Sequence, residues 1–181
     1  HALKAAPRIL RADHSDALDH IAGDAAAAYP PETGLKRFRR HLLFLKPDIL
    51  IVIDDIRLAG DHDLELRFHP EQQEASLEGT TIRTAGAKAK LRMDVLTPCS
   101  GGIAAEKLPL VDRRYVKNDF MTVRLKHHGD AWKSAVAFSW SRTLSETSAV
   151  TMEDRGGVWL FKTASGTVRF DWKTGGSTLV R

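Results

Sequence analysis

Two strand-length apolar runs stand close together in the first third of the chain. They cover residues 42–45 and 49–53, and only Lys46, Pro47 and Asp48 separate them. The second run is rich in β-branched residues, which favour a pleated strand, whereas proline followed by aspartate is typical of a turn. The pattern predicts a β-hairpin whose second strand is covered on both faces, because that strand does not alternate with polar residues.

Strict alternation of apolar and polar residues recurs along the rest of the chain, as in strands with one face on a core. Paired glycines or Ser-Gly near the C-terminus predict hairpin turns. No amphipathic helix longer than two turns is predicted. The pattern therefore favours an all-β fold, a multi-stranded antiparallel β-sandwich of layered sheets with little helix. The alternating segments are 63–68, 90–95, 121–126 and 168–173, shorter candidates are 80–84, 135–140, 149–153 and 158–163, and the turns fall at 156–157, 165–166 and 175–176.

The first 34 residues give a weaker pattern. They predict short strands at residues 7–11 and 18–21. Alanines in residues 24–29 predict a helical turn, which Pro30 and Pro31 end.

Three further segments predict turns or loops. Residues 58–62 suit a turn, and His127 with His128 suits another. Residues 97–118 contain two prolines and a pair of glycines, and they predict one long irregular connection. Long connections of this kind are often functional.

The composition indicates one domain with a mildly basic surface. A chain of 181 residues is long enough to bury a sizeable core, and we expect residues 1–181 to form a single β-sandwich domain. The net charge of +4 weakly favours anionic partners such as acidic polysaccharide or nucleic acid. The single cysteine, Cys99, excludes an internal disulfide. No apolar run approaches the roughly 18 residues of a membrane span.

Residues 13–68 resemble a known family. The motifs that carry the resemblance are GDA at 23–25 with AY at 28–29, RFRRHLLFLKPD at 37–48, IVIDDI at 51–56 and HDLELRFH at 62–69. In this order and spacing they resemble the C-terminal part of the heparinase II/III-like polysaccharide lyases.

The resemblance implies an upstream α-helical toroid, a layered β-sandwich and an acidic polysaccharide bound between them. It implies β-elimination on uronic-acid-containing polymers such as heparan sulfate or alginate, and a periplasmic or secreted location. The chain starts without methionine, as a processed product or an excised domain does. We expect it to be a fragment or module of a larger lyase, and any signal would lie upstream. The family's closely spaced histidines and its His-Asn-Thr motif are missing here, so no family catalytic residue is carried onto this sequence.

Two basic clusters are candidates for substrate binding. Arg37 and Arg39 share one face of a predicted strand, and together they offer bidentate contacts to a carboxylate or a sulfate. The alternative is an exposed rim paired with aspartate or glutamate. Arg114, Tyr115 and Lys117 place cations beside an aromatic ring in the long connection, where a basic loop without a ligand is the alternative.

Other polar clusters are predicted to be structural. His14 and His20 lie among aspartates in residues 13–24, but their spacing is not that of a zinc site, and a solvated loop is expected. Asp54 and Asp55 are neighbours on a strand and point to opposite faces, so turn capping is expected instead of a catalytic carboxylate pair. His41 and His69 are expected to be hydrogen-bonded strand histidines, and Trp132, Trp140, Trp159 and Trp172 to be core residues. We expect no metal, because four zinc ligands cannot be named, and no cofactor, because P-loop and dinucleotide motifs are missing. No nucleophile elbow of the Gly-x-Ser-x-Gly type is present either.

The sequence therefore predicts a β-sandwich module of a polysaccharide lyase that supports the catalytic domain and the polyanion cleft. Its expected partners are acidic polysaccharide and the upstream toroid, and neither nucleic acid nor a membrane. Two alternatives remain: a non-catalytic carbohydrate-binding module, and a structural assembly domain whose sheet edges pair with another part of the protein.

Overall fold

The computed structural model describes residues 6–70, 74–109, 119–142 and 145–180. In this part of the chain two antiparallel sheets face each other, which confirms the predicted all-β sandwich. Two 3-10 helices of three residues each, Ala26–Ala28 and Pro31–Thr33, are the only helices described, and neither approaches the length of a membrane span. The strands are β1 (Arg8–Asp13), β2 (Leu18–Asp24), β3 (Leu35–Leu45), β4 (Ile49–Phe68), β5 (Ser76–Glu78), β6 (Thr81–Ala85), β7 (Lys90–Val95), β8 (Gly102–Pro109), β9 (Asp119–Ser141), β10 (Thr151–Asp154), β11 (Val158–Thr163), β12 (Gly166–Asp171) and β13 (Gly176–Val180).

The predicted hairpin of β3 and β4 lies near the middle of the larger sheet. That sheet has nine strands in the order β1-β2-β3-β4-β9-β7-β6-β5, and β8 also pairs with β9. Leu43 lies opposite Ile51 across the hairpin, and both are fully buried. On the other face of β4, Val52 and Ile56 are also buried. The prediction of a strand covered on both faces is confirmed.

The predicted turns at residues 58–62 and at His127 and His128 are wrong. Strands β4 and β9 run through both segments and stay paired, with an irregularity at which Arg57 lies opposite Ala131 and His62 opposite Gly129. Four residues of β4 are thereby set against a single residue of β9. Polar residues and glycine suit a bulge as well as a turn, so the composition alone does not distinguish the two.

The smaller sheet is a simple meander. Its strands follow the chain order from β10 to β13, and the turns predicted at residues 156–157, 165–166 and 175–176 connect them, which confirms those predictions. The first core lies between this sheet and one face of β3, β4 and β9. Its buried residues are Leu43, Leu45, Ile49, Ile51, Ile53, Ala135, Ala137, Val150, Trp159, Phe161, Val168 and Phe170.

A second core lies within the larger sheet, which bends on itself. Residues of β6 and β7 pack there against the distal parts of β4 and β9, as in the contact group of Ile82, Met93, Leu66 and Val123. Strand β9 pairs with β8 at its start, over residues 119–126, and with β7 at its end, over residues 136–141.

The ends of several elements differ from the prediction. The first two predicted strands are confirmed as β1 and β2, and a 3-10 turn occupies part of the predicted helical segment. The prediction of one long irregular connection over residues 97–118 is wrong in its middle, because strand β8 lies there and pairs along its whole length with β9. Residues 110–118 lie outside the described residues.

Candidate functional site

Arg37 and Arg39 lie on the same face of β3, at the edge of the region that the smaller sheet covers. Arg37 donates from Nη1 to Oδ2 of Asp55 at 2.9 Å, and Arg39 donates from Nε to Oδ2 of Asp24 at 3.1 Å. The two arginine side chains remain 39% and 45% exposed. Each guanidinium is therefore held in place by a carboxylate while part of it still faces solvent.

A small cavity, here called the seam pocket, opens beside these arginines where the two sheets meet. Its volume is about 200 Å³. Strands β1, β2, β3 and β4 form one side, and the turn that follows β12 forms the other. The lining residues are Leu10, Arg11, Ala22, Arg39, His41, Asp55, Trp172, Lys173, Thr174 and Gly175.

The seam pocket has an excess of positive charge. Arg11, Arg39 and Lys173 line it, and Asp55 is the acidic residue of the lining. Arg11 is paired with Asp13 and Arg39 with Asp24, so the excess comes from the lysine. Among the described residues Lys173 has no carboxylate partner. The ammonium of Lys133 adds a further cation, 4.2 Å from the ring centroid of Trp172. This arrangement favours an anionic ligand.

A buried histidine pair forms the floor of this region. Nε2 of His20 and Nδ1 of His41 share a hydrogen bond of 3.0 Å, and Ser177 bonds Nδ1 of His20 at 2.9 Å. His41 also packs edge-on against Phe170, at 4.9 Å between ring centroids. Burial is the main cause that lowers the pKa of each histidine to about 4, and the positive charge of Arg11 contributes to this lowering. At neutral pH the pair is uncharged, and the prediction of a hydrogen-bonded His41 is confirmed.

Asp54 faces the opposite side of the larger sheet. Arg40 lies directly across from it and donates two hydrogen bonds, from Nε at 2.7 Å and from Nη2 at 2.9 Å. Asp54 and Asp55 thus point to opposite faces, as predicted. The prediction of turn capping is wrong, since both residues lie within β4 and pair with arginines.

The remaining candidates are placed as follows. Residues 13–24 are not one solvated loop, because His20 lies buried on β2 while His14 pairs with Asp19 at the surface. Across the described ranges, no group of three or more histidine, cysteine, aspartate or glutamate residues is arranged to hold a metal ion. Arg114, Tyr115 and Lys117 fall outside the described residues, and their role in binding stays a prediction.

Sequence reasoning missed Arg11 and Lys173 and placed Trp172 in the core alone. Trp172 is only half-buried: it packs at the margin of the first core and also lines the seam pocket. Arg11 and Lys173 belong to opposite ends of the chain. The fold brings them together because β13 contacts β2, which pairs with β1. Lys173 is the last polar residue of the alternating segment predicted at 168–173 and precedes a glycine turn, and this is the only local signal of its exposed position.

A second surface feature lies on the outer face of the larger sheet. Residues of β1, β2 and β3 form an apolar depression of about 450 Å³. Ile9 and Ile21 in its lining are 73% and 46% exposed. Phe38 and Leu42 extend the apolar surface along β3.

Comparison with known proteins places this architecture in a family. The family described as heparinase II/III-like, C-terminal, matches residues 1–172. The chain belongs to this family. The resemblance drawn from the sequence motifs is confirmed, and the match extends well beyond the segment in which those motifs lie.

Solved structures of a heparan sulfate lyase and of heparinase III share the fold of this chain. A heparan sulfate lyase from Pedobacter heparinus has 12% sequence identity and a TM-score of 0.68, over 96% of this chain and 27% of that chain. A heparinase III gene product has 10% identity and a TM-score of 0.71, over 96% of this chain and 28% of that chain. A further heparinase III structure has 11% identity and a TM-score of 0.68, over 97% and 27% of the respective chains. This chain therefore spans about 27% of the length of these similar structures.

Proposed function

We propose that this chain is the C-terminal β-sandwich module of a polysaccharide lyase that cleaves uronic-acid-containing polymers, such as heparan sulfate or alginate, by β-elimination. The family match supports the module, and the greater length of the similar structures supports a catalytic domain outside this chain. We propose that this domain is an upstream α-helical toroid. The parent protein would act in the periplasm or outside the cell, where such polymers occur.

The module's own part is electrostatic. β-Elimination needs neutralisation of the uronate carboxylate, a base for the C5 proton and an acid for the leaving oxygen. In this proposal those groups lie in the rest of the lyase, and the module holds the polyanion beside them. The observation that carries the proposal is the pair of half-exposed guanidinium groups of Arg37 and Arg39, fixed on one face of β3 by Asp55 and Asp24.

The outer apolar depression supports a role in assembly with the toroid. Ile9 and Ile21 lie exposed beside Phe38 and Leu42 in one apolar depression, and such a surface suits contact with another domain. The depression lies on the face of β1–β3 opposite the guanidinium of Arg39. Assembly with the toroid there would therefore leave Arg37 and Arg39 free to bind the polysaccharide.

Replacing Arg37 and Arg39 together with alanine is expected to weaken binding of heparin to the chain about tenfold, or about 1.4 kcal/mol. The reason is the loss of two charge-assisted contacts to sulfate or carboxylate groups. Isothermal titration calorimetry at low ionic strength measures the effect, and added salt is expected to reduce the difference.

Arg83→Ala combined with Arg155→Ala is the matched control for this double variant. These arginines are also exposed and paired with glutamates, but they lie away from the seam pocket. The control is expected to change the affinity for heparin less than twofold. Equal losses in the two double variants would show that binding follows net charge alone, and would contradict the proposed site.

A lyase assay separates the module from an independent enzyme. The full-length parent is expected to release unsaturated uronate products, which absorb in the ultraviolet, whereas this chain alone is expected to release none. Turnover by the isolated chain would overturn the division of roles proposed here.

A further inference from the structure

We propose that the seam pocket binds a single acidic sugar unit, meaning a pyranose ring that carries a carboxylate or a sulfate group. This inference rests on the proposed function and adds to it a defined subsite for one sugar unit. The inference is drawn from one arrangement: Arg11, Arg39 and Lys173 lie with the ring of Trp172 around one small cavity.

The size of the pocket limits the ligand to one ring. Sites for drug-sized molecules usually enclose roughly 300–1,000 Å³, whereas the seam pocket has about 200 Å³. A monosaccharide suits this volume better than a chain segment does. The pocket therefore fits one sugar unit, either the end of a polymer or a unit turned in from a chain that lies along β3.

Three cations reach the pocket from two directions. Arg39 extends from β3 and Arg11 from β1, while Lys173 comes from the turn after β12. A Cβ built on Gly176 would lie 3.9 Å from Nη2 of Arg11, so this guanidinium reaches across to the turn before β13. Planar guanidinium groups beside a flexible ammonium suit a carboxylate or a sulfate.

The other lining residues suit the rest of a sugar. The carboxylate of Asp55 accepts hydrogen bonds from hydroxyls, and the hydroxyl of Thr174 both donates and accepts them. His41 uses Nδ1 for its bond to His20, and its Nε2 has no partner among the described residues. Trp172 also lines the pocket and adds apolar surface beside these polar groups.

Calorimetric titration of the chain with four small ligands tests the inference: glucuronic acid, 6-sulfated glucosamine, glucose and inorganic sulfate. Both acidic sugars are expected to bind at one site, at least tenfold more tightly than glucose and than inorganic sulfate. Equal binding of inorganic sulfate would mean a plain anion site and would overturn the inference. Equal binding of glucose, or no saturable binding of the acidic sugars, would overturn it as well.

Lys173→Gln is expected to weaken binding of both acidic sugars at least fivefold. Lys173 is an exposed turn residue without a carboxylate partner among the described residues, so this substitution leaves the fold intact. Lys88→Gln is the matched control, since Lys88 is also exposed in a loop and lies outside the pocket lining. Equal effects of the two substitutions would contradict the assignment of the pocket.

The same preparations distinguish this inference from the proposed function. If heparin binds through Arg37 and Arg39 but the acidic monosaccharides do not bind, the subsite is wrong and the polymer-binding module stands. If the acidic monosaccharides bind at the pocket but heparin does not bind, the pocket stands and the polymer-binding role is wrong.

Discussion

Arg40→Leu is expected to reduce the free energy of unfolding by about 3–5 kcal/mol, because it leaves a buried carboxylate without its partner. Asp54 is 1% exposed, and Arg40 satisfies both of its oxygens from the neighbouring strand. Burial raises the pKa of Asp54, while the hydrogen bonds from Arg40 lower it. Without Arg40 the carboxyl is expected to take up a proton as the pH falls, so the loss of stability is smaller in acid than at neutral pH.

Urea denaturation at neutral pH measures this loss. The double variant Arg40→Leu/Asp54→Leu is expected to recover part of the stability, because it removes both charges together. Arg83→Leu is the control, since Arg83 pairs with Glu78 at the surface. This substitution is expected to reduce the free energy of unfolding by less than about 1 kcal/mol. A loss below about 1 kcal/mol in Arg40→Leu itself would show that Asp54 does not depend on this ion pair.

Acid is expected to destabilise the fold through the histidine pair. Burial lowers the pKa of His20 and of His41 from 6.5 in the unfolded chain to about 4 in the folded one. A lowered pKa means that the unfolded state binds protons first, so the stability is fully present above about pH 6.5 and is lost as the pH falls toward 4. One pKa unit corresponds to about 1.4 kcal/mol, so each histidine contributes up to about 3 kcal/mol.

The neutral pair keeps the hydrogen bond between its two rings, whereas the doubly charged pair loses it. One hydrogen lies between His20 and His41 at their 3.0 Å contact. If both rings were protonated, two N–H groups would face each other there. The charge of Arg11 and Arg39 adds to this repulsion, while Asp13 and Asp55 oppose it.

Urea titrations at about pH 7.5 and about pH 4.5 test this dependence. His20→Gln combined with His41→Gln is expected to flatten the pH dependence of the unfolding free energy, whatever its effect on stability at neutral pH. His14→Gln is the control, because His14 is exposed and pairs with Asp19. An unchanged pH profile in the double variant would place the acid sensitivity elsewhere.

The centre of the fold could be predicted because its signal is local. The run at 49–53 is too apolar to face water on either side, and a turn directly precedes it. The period of two along β3 likewise placed Arg37 and Arg39 on one face. Both conclusions depend only on neighbours in sequence.

The parts that were missed depend on contacts between distant residues. Strand β8 exists because β9 offers it an edge along its whole length. The bulge at residues 58–61 keeps a polar, glycine-containing segment within β4, where local composition favours a turn. Arg11 and Lys173 meet at the seam pocket only after both sheets are complete.

The most direct test of the binding face is nuclear magnetic resonance of the isotope-labelled chain during titration with a heparan sulfate oligosaccharide. The amide shifts are expected to change at residues 37–41 of β3, at Arg11 and at residues 172–175, which surround the seam pocket. Shift changes confined to β5, β6 and β7, or no changes at all at saturating oligosaccharide, would contradict the binding role assigned to this module.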